Sequence, residues 1–172
     1  MKAESQQPTE SVGGANIAHA PGLNMVKVQA MLAVPHAFPS MCRIVKEDES
    51  TDYMDPTSTQ MKICKAYDEH NWILINKFRQ AKVTTIAVML LLRDCMYLSG
   101  VKGVLIAERQ GTAEDVFERI LFAYHGLPDD VKMPLAEGRK AGATQIHFSH
   151  GGSIKILTTG GRSPAIGRSI DR

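Results

Sequence analysis

The stretch whose reading decides the fold is Trp72-Ile73-Leu74-Ile75-Asn76-Lys77-Phe78-Arg79-Gln80-Ala81-Lys82-Val83-Thr84-Thr85. Its first four residues form a continuous apolar run, as expected of a strand buried on both faces of a parallel sheet. Asn76–Lys82 is polar and turn-like. Thr84–Leu98 is a long apolar stretch that reads as a helix, stopped by Ser99-Gly100. A strand that feeds a short loop and then a helix turns backbone N–H groups and the helix N-terminus toward whatever the loop holds, an arrangement suited to phosphate. Lys77, Arg79 and Lys82 supply positive charge, and Thr84 stands where a hydroxyl would hold Mg²⁺. The consensus G-x-x-x-x-G-K-S/T is not met: Phe78 replaces the first Gly, Lys82 the second and Val83 the Lys. On spacing alone, a basic strand-to-helix turn capped by threonine is the better account.

Outward from this turn, Thr59–Glu69 reads as a helix and Gly103–Ala107 as a second buried strand. The next helix starts at Thr112, where Thr112-x-x-Asp115 has capping-box spacing, and Leu127-Pro128 stops it. Gln145–Ser149 and Ser153–Leu157 flank His150-Gly151-Gly152 and read as a β-hairpin. Toward the N-terminus, Cys42–Val45 is a short strand, Lys46–Pro56 an acidic turn and Met25–Met31 a short helix. Residues 1–35 are assigned to a flexible arm, on the strength of a Ser-, Gln-, Pro- and Gly-rich start. Residues 36–172 form the second unit. Alternating strands and helices predict an α/β fold around a parallel sheet.

Composition narrows the function classes. The chain has 172 residues, 44% of them hydrophobic, with no run near the roughly 18 apolar residues of a membrane span. The polar start MKAESQQPTE has no signal-peptide core. No membrane partner and a cytosolic location are therefore expected. Cys42, Cys64 and Cys95 are isolated, which argues against a disulfide scaffold, and His147-x-x-His150 alone does not make a zinc site. Net charge is +2 but uneven: residues 1–60 carry net −3, whereas residues 138–172 carry six basic residues against Asp171, net +5. A basic tail suits a polyanion, and a solvated surface accounts for it as well.

The segment Lys77–Thr85 resembles the deviant Walker A of phage large terminases, the motor subunits that package DNA, commonly K-x-R-Q-x-G-x-S/T-T. Lys77, Arg79, Gln80, Thr84 and Thr85 match. Other features follow in the family's order. Phe38–Val45 and Pro56–Gln60 are similar to the leading segment and its adenine-reading Gln. Gly103–Glu108 and Thr112–Tyr124 are similar to the second strand and helix, and Leu127-Pro128 to the Leu-Pro after it. His147–Ile154 resembles the hairpin I-x-F-x-N-G-S-x-I, and Gly167-Arg168-Ser169 the approach to Walker B. The likeness runs over residues 36–172 and rests on order and spacing together.

The resemblance implies a partial P-loop NTPase fold, RecA- or ASCE-like, with flanking helices and a β-hairpin, truncated before Walker B. It implies ATP and Mg²⁺ as cofactors. Arg79 would act in catalysis on the γ-phosphate, Gln60 would read adenine, and Lys77, Arg79, Gln80, Ala81, Lys82, Val83, Thr84 and Thr85 would line the phosphates, Thr84 holding Mg²⁺. It implies double-stranded viral DNA, the portal protein and the small terminase subunit as partners, a homo-oligomeric ring, and the cytoplasm of a bacterial host. Arg162 and Arg168 are the expected DNA contacts. Two departures stand out. Lys82 occupies the position of the loop glycine, where a backbone angle awkward for a side chain is needed. The chain reaches Asp171-Arg172 before any Walker B acid, so nucleotide binding without turnover is expected of it. The competing classes are another P-loop ATPase, of helicase or recombinase type, and a non-catalytic interaction module.

Overall fold

The computed structural model describes residues 11–12, 15–46, 48–76, 82–136 and 144–159. Its centre is the apolar helix α4 (Val83–Tyr97), of which ten residues are buried, Ile86, Met89, Leu92 and Met96 among them. A helix apolar on all sides needs cover on all sides, and the remaining elements supply it. Before it come the pairs β1 (Ser11–Val12) with β2 (Ala15–Asn16), and β3 (Arg43–Val45) with β4 (Thr51–Tyr53), with α1 (Met25–Ala33) and α2 (Ala37–Met41) between the pairs. α3 (Ser58–Glu69) follows β4. After α4 come β5 (Lys102–Ala107), α5 (Gln110–Gly126), β6 (Gln145–His147) and β7 (Ser153–Thr158).

The main sheet is small and mixed, in the order β5-β7-β6. β5 runs parallel to β7 from Lys102↔Ser153 to Ala107↔Thr158, and β6 pairs antiparallel with β7. The class is α/β, as expected, and the hairpin stands where Gln145–Leu157 placed it. The sheet is not purely parallel, because that same hairpin contributes an antiparallel strand.

Four expectations need correction. Trp72–Ile75 is not a strand. Trp72 is 81% and Leu74 87% exposed, while Ile73 and Ile75 turn inward. An apolar run becomes a central strand only where neighbours flank both its edges, and among the described residues no strand lies beside it. The arm assigned to residues 1–35 is in part core: Ile17, Ala18, Val28 and Met31 are buried. There Ala18 N–H donates to the Tyr97 carbonyl at 2.7 Å, and Ser99 N–H to that of Asn16 at 2.8 Å. The cause is Tyr97, fully buried at the end of α4. Its hydroxyl donates to the Val131 carbonyl at 2.8 Å and lies 3.7 Å from the Met31 sulfur, and its ring meets Phe38 edge-on. The acidic run Lys46–Pro56 contains β4, because Lys46 N–H reaches Ser50 and closes a hairpin with β3. Finally, α5 starts at Gln110 with Arg109 as N-cap and makes no side-chain cap, so Thr112 lies inside its first turn. Gln110 instead donates to Glu114 one turn on, at 2.8 Å.

Candidate functional site: the N-terminal end of helix α4

The helix proposed to start near Thr84 begins at Val83, with Lys82 as its N-cap. Lys82 has φ +49 and ψ +28, the left-handed region that glycine enters freely and a lysine does not. The sequence placed Lys82 where glycine stands in the resembled motif, and the backbone there is of glycine type. Lys82 provides no side-chain cap, and no acidic residue sits in the first turn. The N–H groups of Val83, Thr84 and Thr85 have no intrahelical acceptor, as at any helix start. Val83 is buried and pins the turn to the core, Thr85 is half-buried, and Thr84 faces solvent. Amides, a hydroxyl and the positive end of the helix dipole thus meet at one place. Lys77, Arg79, Gln80 and Ala81 lie outside the described residues, as do Arg162 and Arg168.

Replacing Lys82 with glycine should stabilise the chain by about 1 kcal/mol, by removing a left-handed non-glycine residue. Urea unfolding of the two proteins measures this. A loss of stability would mean that contacts of the lysine side chain outweigh the strain.

Gln60 belongs to this site, although in a way its sequence did not announce. It is only 3% exposed. Thr57 and Gln60 form a capping box at the start of α3: Thr57 N–H donates to Gln60 Oε1 at 2.9 Å, and Gln60 N–H to Thr57 Oγ1 at 3.3 Å. The other end of the amide, Nε2, donates to the Lys82 carbonyl at 3.4 Å, 22 residues away. The spacing Thr57-x-x-Gln60 is the signal that could have shown the cap, but nothing local predicts the reach to Lys82.

Further along, a second polar clamp joins the same two helices. Arg93, only 4% exposed, donates from Nη2 to Asp68 Oδ1 at 2.6 Å, from Nη1 to Asp68 Oδ2 at 3.3 Å and from Nε to Asp94 Oδ1 at 2.9 Å. Its guanidinium lies 5.7 Å from the centre of the Tyr67 ring. Burial opposes the Arg93 charge, but the bond to Asp68 and the two carboxylates outweigh it and raise the guanidinium pKa. Burial pushes the Asp94 carboxyl up, against the pull of Arg93. With Gln60–Lys82 near their starts and Asp68–Arg93 further on, α3 and α4 run side by side in the same direction. A cavity of 480 Å³ lies against this pair, lined by Ile63, Tyr67, Trp72, Ile73, Leu90 and Asp94 among others. Its walls are mostly apolar, and Ile73 and Ile75 face it in place of joining a sheet.

The cysteines offer no nucleophile. All three are free and buried, and burial lifts the thiol of Cys64 to about 11 and that of Cys95 to about 12, with Cys42 higher still. Among the described residues no His, Cys, Asp or Glu group is arranged to hold a metal ion, and no helix is long and apolar enough to cross a membrane. Neither a protein-family model nor a curated protein matches the chain.

Proposed function

We propose that this chain is the nucleotide-binding front of an ATPase domain of the large-terminase kind, taking the phosphates of Mg-ATP at the start of α4. The observation that carries the reading is the left-handed Lys82 directly ahead of a helix whose first turn holds Val83, Thr84 and Thr85 and no acid. That backbone lets the chain wrap an anion, and the residues before it match the motif K-x-R-Q. In this reading Thr84 supplies a hydroxyl to Mg²⁺ and Arg79 stabilises charge on the γ-phosphate. Double-stranded DNA, gripped in part through Arg162 and Arg168, is the partner such a motor moves, in a ring with the portal protein and the small subunit.

The test is titration of the 172-residue chain with Mg-ATP, followed by the fluorescence of Trp72, its sole tryptophan, five residues before Lys77. Arg79→Ala should weaken binding roughly tenfold or more, the loss of a charge-assisted contact of about 1.5–3 kcal/mol. Lys140→Ala removes the same charge from outside the loop and should cost at most about 1 kcal/mol. Equal losses would mean that general charge, and not the loop, attracts the nucleotide. Phosphate release is expected to stay at the level of a Thr84→Ala control. A second reading, a non-catalytic interaction module, is favoured by the exposed apolar side chains of Trp72, Leu74 and Ile106. Absence of any Mg-ATP binding would favour it.

A further inference from the structure

Gln60 has its family counterpart in a residue that reads adenine, but its surroundings point to different work. An amide that reads a base edge must present its donor and acceptor to the ligand. Here the side chain is buried, its oxygen holds the Thr57 N–H of the capping box, and its nitrogen holds the Lys82 carbonyl.

That carbonyl is a sensitive point. In a trans peptide the C=O of one residue and the N–H of the next lie in one plane and point in opposite directions. Holding the Lys82 carbonyl inward therefore aims the Val83 N–H outward, toward the place where an anion would sit. The first helical hydrogen bond, from Ile86 N–H to the same carbonyl, is long at 3.5 Å. Lys82 is left-handed, so rotation of its peptide toward a commoner conformation is the direction in which the strain relaxes. Gln60 opposes that rotation from a stiff base, the capped start of α3, behind which Pro56 and Met54 are buried and Met54 N–H donates to the Cys42 carbonyl at 2.9 Å.

We propose that Gln60 is a positioning residue, which sets the Lys82–Val83 peptide so that the first amides of α4 are aimed at phosphate. The proposal rests on the reading of α4 as a phosphate site, and its test separates the two. Gln60→Glu keeps an oxygen for the capping box, in which Glu is as suitable as Gln, but has no N–H for Lys82. Thr57→Val does the reverse: it removes the hydroxyl of the box and leaves the link to Lys82. Both are made in the full chain.

Hydrogen exchange at the Ile86 and Ala87 amides, without nucleotide, is the direct readout. Gln60→Glu should speed it about three- to tenfold relative to the rest of α4, the equivalent of one lost internal hydrogen bond. It should also lower the melting temperature, because the new carboxylate is buried against the Lys82 carbonyl. Thr57→Val should lower the melting temperature and leave the Ile86 and Ala87 amides in their parental ratio to the rest of α4. Affinity for Mg-ADP should fall by a similar factor in Gln60→Glu and in the uncharged Gln60→Met, and hold in Thr57→Val. Unchanged exchange at Ile86 and Ala87 in Gln60→Glu overturns the proposal. So does a fall in affinity confined to Gln60→Glu, which would be charge repulsion alone. If exchange quickens as expected but the parent chain binds no Mg-ADP, the nucleotide reading of the site fails, and the hold of Gln60 on the helix start stands.

Discussion

Arg93→Ala is expected to cost about 3–5 kcal/mol of stability, the range for removing one partner of a buried ion pair. The guanidinium is almost fully enclosed and serves both Asp68 and Asp94. Its loss leaves Asp94, which is mostly buried with 16% of its side chain exposed, without its counter-charge. Asp68, at 25%, is nearer to water and less affected. Urea unfolding followed by circular dichroism measures the loss. Arg93→Met combined with Asp94→Leu should recover a large part of it, because it also removes the more deeply buried carboxylate, and well-packed apolar residues often replace a buried pair at little cost. If Arg93→Ala costs under about 1 kcal/mol, water reaches the cluster and the clamp between α3 and α4 is weak.

The second large effect is expected at the β6–β7 turn, where two adjacent glycines serve different needs. Gly151 has φ +96 and open space around the position of a Cβ, so its requirement is conformational. Gly152 needs closeness: a Cβ there would lie 2.2 Å from the Cys95 carbonyl oxygen, a backbone atom of α4 that cannot swing aside. The hairpin is held to the end of α4 at this point, with His150 Nε2 3.3 Å from the Leu98 carbonyl. Gly152→Ala should cost about 1–3 kcal/mol, as overpacking does, and should move the hairpin away from α4. Gly151→Ala should cost about 1 kcal/mol through backbone strain and leave the packing intact. Thermal unfolding ranks the two, and the reverse order would show that the hairpin slides past α4 without strain.

Much of the secondary structure was legible because its causes are local. Periodicity and stop signals placed α1, α3, α4 and α5 within a few residues. Short apolar runs placed β3 and β5, and His150-Gly151-Gly152 marked the turn between β6 and β7. The unusual backbone at Lys82 was implied only by the resemblance, in which a glycine stands at that position, and the lysine itself carries no local signal for it.

What the tertiary structure decided depends on partners far away in the chain. Trp72–Ile75 has the composition of a buried strand, but a strand requires edges to pair with, and none is offered beside it among the described residues. Arg93 reads as the polar end of the apolar run Ile86–Leu92, yet it is drawn into the core because Asp68, 25 residues earlier, meets it there. Ile17 lies in a stretch composed like a loose arm, but Tyr97 and Leu98 at the end of α4 gather it in. Gln60 carries the spacing of a helix cap in its sequence, whereas its second bond, to Lys82, exists only because α3 and α4 start side by side. Local preference is set by a residue and its neighbours. Burial and pairing are set by whichever distant groups arrive, and those the linear order of residues does not name.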